Sequence, residues 1–566
     1  MFHPSMQAAS ALAVCAALTA CGGGGGDDPV RLSAATGAPL FGSCADLAPR
    51  LSTLANTTIT AVNSVPAGSL TVAGQPIAAH CQVLGKMFSR TSAVDGNAYA
   101  IGFEMRLPLA WNGRFYHQGN GGIDGAVVPA TGPVNGGGAL TNALQQGFAV
   151  LSSDAGHAGA LGPNFGIDPQ ARLDYGYQAV AKLTPMAKSV ISAAYTKGPD
   201  RSYFGGCSNG GRHAMIAATR YATDYDGILA GSPGYNLPKA AIASIAGGQL
   251  YASVATNPAD LSTAFTTAER ALLGASVLAK CDALDGATDG LIQDVAACQA
   301  AFDLQRDVPT CTGARDGTCL SAAQKTVIGK IFSGPTTSNG ALIYSSFPYD
   351  SGVSGSGIPF WEFISPLALD SGAVGLIFKT PPENASGFNG PAFTLSANLD
   401  TLVAQIFATN ALYTESGMSF MTPPNPTDMS VLNKRGGKII LYHGVADPIF
   451  SVNDSQAWYK GLQANNGGDA SGFARFYRVP GMGHCSGGPA TDQFDALTPL
   501  VNWVEKGIAP DAIVAQARGA GNAGGVNPDV PAGWAADRTR PLCPYPKVAR
   551  YNGSGSLELA SSFSCK

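Results

Sequence analysis

The sequence predicts an α/β fold with a central parallel sheet, and three segments support this prediction. Residues 148–153 form a continuous apolar run, which is typical of a central parallel strand. Residues 438–444 show the pattern of a second buried strand. Residues 202–204 form a short strand-like segment, followed by the turn Gly-Cys-Ser-Asn-Gly at residues 206–210 and by a helix-compatible stretch at residues 212–221. A strand, a sharp turn and a helix in this order are the context of a nucleophile elbow.

Length and composition are those of a globular protein with ample buried surface. The chain has 566 residues, of which 45% are apolar and 13% charged, and its formal net charge is −4. This length exceeds one ordinary hydrophobic core. Phosphate binding needs clustered Lys and Arg, and the sequence has no basic runs. We therefore expect a small-molecule substrate, no nucleic-acid partner and no obligate protein partner.

Ser208, Asp447 and His484 are the predicted nucleophile, orienting acid and general base. Ser208 is the central residue of the G-x-S-x-G turn. Asp447 lies in the turn that leaves the predicted strand 438–444, and His484 lies in the loop after the strand-like run 476–479. Serine, acid and histidine in this chain order are the arrangement of α/β-hydrolases, so the fold is predicted to be an α/β-hydrolase core.

Each of these residues also has an ordinary structural interpretation. A G-x-S-x-G run in a chain with 72 glycines can be a simple turn. Asp447 precedes Pro448 and can be a turn former, and a single histidine in a glycine-rich loop is often a surface residue. His213 and His443 compete poorly as bases, because His213 lies on the predicted elbow helix and His443 lacks a carboxylate placed in the required order. The combination of all three residues favours the triad.

Cysteines flank both the nucleophile and the base. Cys207 precedes Ser208, and Cys485 follows His484. If the serine and histidine side chains are hydrogen-bonded, their cysteine neighbours come within the Cα separation of a disulfide, roughly 4.4 to 6.8 Å. One bridge would then attach the base to the elbow.

The first residues are predicted to be a signal peptide, residues 1–20. The apolar stretch 8–20 is too short to span a membrane, and the sequence Leu-Thr-Ala-Cys at residues 18–21 resembles a lipobox in which Cys21 is lipidated. Residues 1–5 lack the usual Lys or Arg. The glycines of residues 22–26 begin a predicted flexible tether, residues 21–43. We expect an exported protein, either an outer-membrane lipoprotein or a periplasmic or secreted enzyme.

The cysteine count agrees with export. The chain has 12 cysteines, and setting aside Cys15 and Cys21 of the signal region leaves an even number, consistent with disulfides in an oxidising compartment. The sequence alone does not pair them.

An Asp/Gly-rich stretch at residues 281–291 is a candidate calcium site. Asp282, Asp285 and Asp289 are separated by short gaps that contain glycine, so a tight loop can present several oxygens to one hard cation. The alternative is an Asp/Gly turn that caps two helices.

The Cys-Ser, Asp and His-Cys arrangement resembles the tannase and feruloyl esterase family, from about Cys44 to the C-terminus. The resemblance implies a large lid domain inserted into the core and hydrolysis of aromatic carboxylic esters. It implies calcium in the lid, held by the side chains of Asp282, Asp285 and Asp289 and the carbonyls of Ala287 and Leu291. It also implies five disulfides: Cys44–Cys81, Cys207–Cys485, Cys281–Cys298, Cys311–Cys319 and Cys543–Cys565.

These landmarks divide the chain into a discontinuous core and a lid. The core is expected over residues 44–234 and 426–566, and the lid over residues 235–425, which contain the calcium stretch and an aromatic cluster at residues 360–363. The Gly/Ser-rich residues 350–357 are expected to form an exposed loop.

The oxyanion hole and the substrate contacts complete the predicted site. The backbone N–H of Asn209 is one expected donor, and the glycine-rich loop 118–122 is expected to supply the other, with Gly121 chosen from the resemblance. The alternative for that loop is a simple turn. The resemblance implies that Phe450, three positions after Asp447, lies against the substrate ring, although it could equally pack in the core. His443 is the other predicted substrate contact.

The predicted activity is hydrolysis of hydroxycinnamate, gallate or related phenolic esters. Hydrolysis of a terephthalate monoester or diester is the alternative. It is disfavoured because the free carboxylate of the monoester needs a cation in the lid, and Lys379 is the one basic residue between Lys330 and Lys434. A non-catalytic surface binding protein and a serine peptidase are two further alternatives.

Overall fold

The computed structural model describes Met1 and residues 30–134, 136 and 141–566. The predicted signal peptide, Cys21 and residues 22–29 of the predicted tether lie outside the described residues. The rest of that tether, residues 30–43, packs on the core. The backbone N–H of Ala35 donates to Glu505 (2.9 Å) and that of Thr36 donates to Asp200 (2.8 Å). A flexible tether over residues 30–43 is therefore wrong, because these hydrogen bonds and a strand pairing fix the segment.

The described strands, in chain order, are β1 Ala38–Pro39, β2 Thr57–Val65, β3 Thr71–Val72, β4 Gln75–Pro76, β5 His80–Thr91, β6 Ala98–Pro108, β7 Ala110–Trp111, β8 Arg114–Gly119, β9 Ala149–Ser153, β10 Arg201–Cys207, β11 Gly227–Gly231, β12 Lys438–Gly444, β13 Ala474–Val479, β14 Ile513–Gln516, β15 Thr539–Leu542, β16 Ala549–Tyr551 and β17 Phe563–Cys565.

The described helices are α1 Cys44–Arg50, α2 Pro169–Leu173, α3 Ala179–Tyr195, α4 Asn209–Arg220, α5 Leu237–Ala252, α6 Thr267–Cys281, α7 Val295–Ala301, α8 Leu304–Asp307, α9 Ala322–Ser333, α10 Leu369–Gly372, α11 Gly390–Ser396, α12 Leu399–Ile406, α13 Gly417–Met421, α14 Ser430–Lys434, α15 Val452–Asn465 and α16 Leu497–Lys506. Shorter 3-10 or π turns occur at Gly159–Ile167, Asp174–Gln178, Leu261–Ala264, Asp282–Asp285, Ser351–Ser354, Phe360–Ile364, Ser365–Leu367, Ala373–Phe378 and Ala560–Ser562.

Nine strands form one central sheet in the order β13-β12-β11-β10-β8-β9-β6-β5-β2. The strands from β13 to β9 are parallel, whereas β6, β5 and β2 add an antiparallel edge. The four predicted strand segments correspond to β9, β10, β12 and β13, and every residue of β9 and β12 is buried. The parallel part of the sheet is confirmed. The prediction did not include the antiparallel edge.

Hydrophobic cores cover both faces of the sheet. Ile439 and Leu441 of β12 pack in one core with residues of α3, α4 and α15. Ile440, between them, packs in the other core with residues of α16. Because side chains alternate along a strand, this division places helices on both faces of the sheet, which is the layered arrangement of α/β proteins.

The chain between β11 and β12 is helical, from α5 to α14, and its described residues add no strand to the central sheet. This insertion occupies the position predicted for the lid. Residues 350–357 were expected to be exposed, but Asp350 is 0% and Ser351 5% exposed. The expectation is wrong for residues 350–352, which pack beneath the His484 loop, where the backbone N–H of Gly481 faces Asp350 Oδ2 at 3.4 Å. Ser354, Ser356 and Gly357 are exposed, as expected.

Five disulfides connect the described cysteines, and the pairing implied by the resemblance is confirmed. Four of them close sequence separations of 8 to 37 residues. The fifth joins Cys207 to Cys485 over 278 residues, with the Cα atoms 6.1 Å apart. The bridges are Cys44–Cys81, Cys207–Cys485, Cys281–Cys298, Cys311–Cys319 and Cys543–Cys565.

Candidate active site

Ser208 lies in the sharp turn between β10 and α4. Its backbone adopts φ 65° and ψ −128°, outside the regions that L-residues favour. The turn lies so close to β8 that an added Cβ would come within 2.5 Å of Gly119 O at Gly206 and within 2.3 Å at Gly210. Glycine is therefore required at both positions, and the strand-turn-helix context that the sequence predicted is present.

Ser208, His484 and Asp447 form one continuous hydrogen-bonded chain. His484 Nε2 lies 2.8 Å from Ser208 Oγ, and His484 Nδ1 lies 2.7 Å from Asp447 Oδ2. Burial alone would raise the pKa of the Asp447 carboxyl, but the charge of His484 and hydrogen bonds from His443 and His484 hold that pKa well below its usual range. An ionised acid on one ring nitrogen fixes the proton there and leaves the other nitrogen free to accept from the serine.

His443 holds Asp447 from behind and does not reach a cavity. Its Nε2 lies 2.8 Å from Phe450 O and 3.3 Å from Asp447 Oδ2, and its Nδ1 lies 2.8 Å from Ser455 Oγ. The His443 side chain is 0% exposed. The prediction that His443 contacts the substrate is therefore corrected, because both ring nitrogens are occupied inside the core.

The loop after β8 brings Gly121 next to the nucleophile. An added Cβ on Gly121 would lie 3.8 Å from Ser208 Cβ. The backbone N–H of Asp124 donates to Gly121 O (3.2 Å), and the Asp124 carboxylate accepts from Asn209 Nδ2 (2.7 Å). His213 Nε2 lies 2.9 Å from the same carboxylate oxygen. The two predicted oxyanion residues are thus connected through Asp124.

Asp124 and His213 are site residues that sequence reasoning missed. Burial, opposed by the nearby positive groups, raises the pKa of Asp124 to about 7, and burial lowers the pKa of His213. No local motif marks either residue, because their contact joins a loop after β8 to the elbow helix α4.

Two aromatic rings flank the histidine. The ring centroids of Trp361 and Phe450 lie 4.8 and 5.2 Å from that of His484, each at an interplanar angle of 79°. Both aromatic residues also line a cavity beside Ser208. The core lines this cavity with Ser208, Asn209 and Tyr175, and the lid lines it with Leu237, Asp370 and Phe378. The predicted placement of Phe450 beside the site is correct in position, and Trp361 is an additional wall.

A second cavity contacts His484 directly. It is lined mainly by the glycine-rich loop after His484, by the segment 355–358 and by Trp361. Arg518 and Asn527 supply its polar side chains, and the Arg518 guanidinium is paired with buried Asp492 (2.6 Å). The site therefore has room on two sides, one facing the serine and one facing the histidine.

The predicted calcium residues lie together in one loop, between α6 and α7. Burial raises the pKa of Asp285 to about 7, and the neighbouring charges of Asp289 and Asp282 add to the rise. Asp282 accepts the backbone N–H groups of Asp289 and Gly290, and Asp289 pairs with Arg540.

This donor set fits a hard cation in its chemistry, since it consists of oxygens. Within residues 30–566, apart from the few left undescribed, no group of three or more His, Cys, Asp or Glu side chains is arranged to hold a metal ion. The carbonyls of Ala287 and Leu291, the other predicted ligands, belong to the same loop. Calcium binding by this loop stays a prediction.

A serine hydrogen-bonded to a histidine and an acid, at the carboxyl ends of parallel strands, defines an α/β-hydrolase. The chain belongs to the tannase and feruloyl esterase family, whose model matches residues 81–566, and it is a carboxylic ester hydrolase.

Individual relatives agree with this assignment. The chain is 39% identical to mono(2-hydroxyethyl) terephthalate hydrolase from Piscinibacter sakaiensis, over 88% of this chain and 87% of that protein. It is 29% identical to a probable feruloyl esterase B-1 from Neosartorya fischeri, over 82% of each. The structure of feruloyl esterase B from Aspergillus oryzae superposes with a TM-score of 0.72 at 25% identity, covering 92% of this chain and 99% of that one.

Proposed function

We propose that this protein is an exported serine esterase that hydrolyses aromatic carboxylic esters through Ser208, His484 and Asp447. The observation that carries the proposal is the unbroken Ser208–His484–Asp447 contact, at 2.8 and 2.7 Å, beside a cavity walled by Trp361 and Phe450. Both distances are within the range expected of a nucleophile with its base. The aromatic walls match a planar acyl group.

The reaction follows from this geometry. His484 Nε2 takes the Ser208 proton as Oγ attacks the ester carbonyl, and the carbonyl oxygen becomes an oxyanion. The backbone N–H groups of Asn209 and Gly121 are the proposed donors to that oxyanion. His484 then gives its proton to the departing alcohol, leaving an acyl group on Ser208. A water molecule, activated by His484 in the same way, releases the acid.

The two cavities give the ester an orientation. The cavity that contains Ser208 is lined by apolar and aromatic groups, so it takes the aromatic acyl group. The cavity that contacts His484 takes the alcohol, because the histidine must reach the leaving oxygen to protonate it.

Hydrolysis of a terephthalate monoester is the second candidate, and the 39% identity to a terephthalate monoester hydrolase favours it. A free carboxylate on the acyl ring needs a cation. Lys379, the lid cation noted in the sequence, is paired with Glu383 (2.5 Å) and does not line the cavity. Phenolic esters therefore remain the favoured class.

Calcium is proposed as a structural ion. Asp282, Asp285 and Asp289 would hold it with the carbonyls of Ala287 and Leu291, and a bound cation would compensate the clustered carboxylates. The ion supplies no step of the reaction. Export is supported by the five disulfides, and attachment through a lipidated Cys21 is the proposed form of localisation.

A hydrolysis screen tests the function. Methyl ferulate, methyl gallate and a terephthalate monoester are offered to the wild-type protein and to Ser208→Ala, with a peptide panel alongside. We expect Ser208-dependent turnover of at least one aromatic ester and none of the peptides. Failure to turn over any ester would favour a binding protein, and cleavage of peptides would favour a peptidase.

A further inference from the structure

The acyl cavity contains one carboxylate, Asp370, and its other described lining residues are apolar or uncharged. Asp370 belongs to lid helix α10 and is 5% exposed. Within the described residues, no Lys, Arg or His lines this cavity. Burial raises the pKa of the Asp370 carboxyl to about 6, and hydrogen bonds from Ser244 and Ser365 oppose that rise. The carboxyl is therefore ionised at pH 8 without a cation beside it.

One oxygen of this carboxylate is used by the lid, and the other is available. Oδ2 accepts the hydroxyls of Ser244 (2.6 Å) and Ser365 (2.7 Å), which join α5 to the turn before α10. Oδ1 accepts no hydrogen bond from the residues that the structure describes, and it is not among the oxygens sealed from solvent. Because this oxygen has no donor among the described residues and keeps some access to solvent, a ligand that brings a donor into the cavity can form a charge-assisted hydrogen bond with it.

We propose that Asp370 selects esters whose aromatic acyl ring carries a hydroxyl group, by accepting the hydrogen bond of that hydroxyl at Oδ1. This inference rests on the proposed function, because it takes the acyl ring to enter the cavity beside Ser208. The core supplies the reacting end of the cavity and the lid supplies Asp370, so an acyl carbonyl at Ser208 directs the ring toward the lid. A ring hydroxyl is both a donor and neutral, and it matches a lone carboxylate acceptor.

The same residue acts against a ring that carries a carboxylate. A terephthalate half-ester would bring a second negative charge into a cavity that already holds Asp370 and has no cation among its described lining residues. Two unpaired like charges in a water-poor site repel strongly. Asp370 therefore favours phenolic esters over terephthalate half-esters, two substrate classes that the fold and the family do not distinguish.

A series of matched methyl cinnamates tests the inference on the wild-type enzyme at pH 8. The ring carries hydrogen, 4-hydroxyl, 4-methoxyl or 4-carboxylate. Methoxyl resembles hydroxyl in its electronic effect on the ester but cannot donate a hydrogen bond, so it is the fair comparison. We expect kcat/KM for the hydroxylated ester to exceed that for the methoxylated and carboxylated esters by roughly 10- to 100-fold, the range for a hydrogen bond to a charged group.

The variant Asp370→Asn assigns the preference to this residue. It should reduce the preference for the hydroxylated over the methoxylated ester to within about threefold and raise the rate on the carboxylated ester relative to the other three. Glu383→Gln, which removes a lid carboxylate outside the cavity, is the matched control and should keep the wild-type preferences.

Two outcomes overturn the inference. One is equal or better wild-type turnover of the methoxylated or carboxylated ester, a result that does not depend on any variant folding. The other is an Asp370→Asn enzyme that loses all four substrates in equal proportion, which makes the residue purely structural. Ser208-dependent turnover without a hydroxyl preference rejects this inference alone, whereas no turnover of any ester by the wild type rejects the proposed function.

Discussion

Cys207 and Cys485, the chain neighbours of the nucleophile and of the base, form a disulfide with their Cα atoms 6.1 Å apart. Cys485 has a left-handed backbone, with φ 63°, and Ser208 is also left-handed, with φ 65°. Cys485 is thus a member of the disulfide, and Ser208 is the chain neighbour of its other member, Cys207. Because the histidine loop is rich in glycine, the bridge restricts a segment whose sequence gives it little rigidity of its own.

The double variant Cys207→Ala with Cys485→Ala should lose turnover more than it loses stability. A displacement of the base by about 1 Å can cost on the order of a hundredfold in rate. Turnover is measured at a temperature where calorimetry shows both proteins folded. The matched control is Cys311→Ala with Cys319→Ala, which removes a bridge that closes a separation of 8 residues within the lid. If the active-site variant keeps near-normal turnover, the bridge does not position His484.

Asp124 is expected to position the oxyanion donors. Its carboxylate accepts from Asn209 and His213, and its backbone N–H donates to Gly121 O. Asp124→Ala removes these side-chain contacts and should lower kcat by roughly 10- to 100-fold with little change in KM, because oxyanion contacts strengthen in the transition state. Asp124→Asn keeps an acceptor oxygen and should recover part of kcat. A rise in KM with kcat unchanged would place Asp124 in ground-state binding instead.

His443 is expected to support Asp447 without touching the substrate. His443→Leu leaves Asp447 with His484 and the backbone N–H groups of Ile449 and Phe450, each at 3.0 Å from Oδ1. Turnover should fall because the acid is less firmly held, and KM should change by less than about threefold for every ester tested, since the His443 side chain is 0% exposed. A KM change that depends on the acyl ring would return His443 to the substrate-binding residues.

Removal of calcium should lower thermal stability and leave catalysis intact. Without a cation, the carboxyl groups of Asp282, Asp285 and Asp289 lie buried in one loop, where like charges repel each other. Exhaustive chelation should lower Tm, and added Ca²⁺ should restore it, while kcat and KM well below Tm stay constant. In Asp285→Asn the effect of added Ca²⁺ on Tm should be much smaller. An unchanged melting curve after proven metal loss would reject the calcium site.

The elements that carry the chemistry were predictable from sequence because their signals are local. The Gly-Cys-Ser-Asn-Gly turn lies between a strand and a helix, and β12 is a buried run that ends just before Asp447. The proximity of Ser208 and His484 followed from the required chemistry, and it brought their cysteine neighbours together.

Two of the three errors concern contacts between distant segments. Residues 30–43 look like a linker in composition, but the acceptors that hold them, at Asp200 and Glu505, are far away in the sequence. The segment 350–357 looks exposed because it is rich in glycine and serine, whereas Asp350 is covered by the His484 loop. His443 lies near Phe450 in sequence, but every residue of β12 is buried, and the His443 ring is enclosed by Asp447, Phe450 and Ser455.

The central claim is that Ser208 is the nucleophile of an aromatic esterase, and the activity of Ser208→Ala tests it most directly. The variant removes one oxygen and should melt like the wild type, while Ser69→Ala, on an exposed turn, is the matched control. With methyl 4-hydroxycinnamate as substrate, kcat/KM should fall by several orders of magnitude, as it does when a triad nucleophile is removed. A folded Ser208→Ala protein that retains more than a few per cent of wild-type turnover would contradict the account.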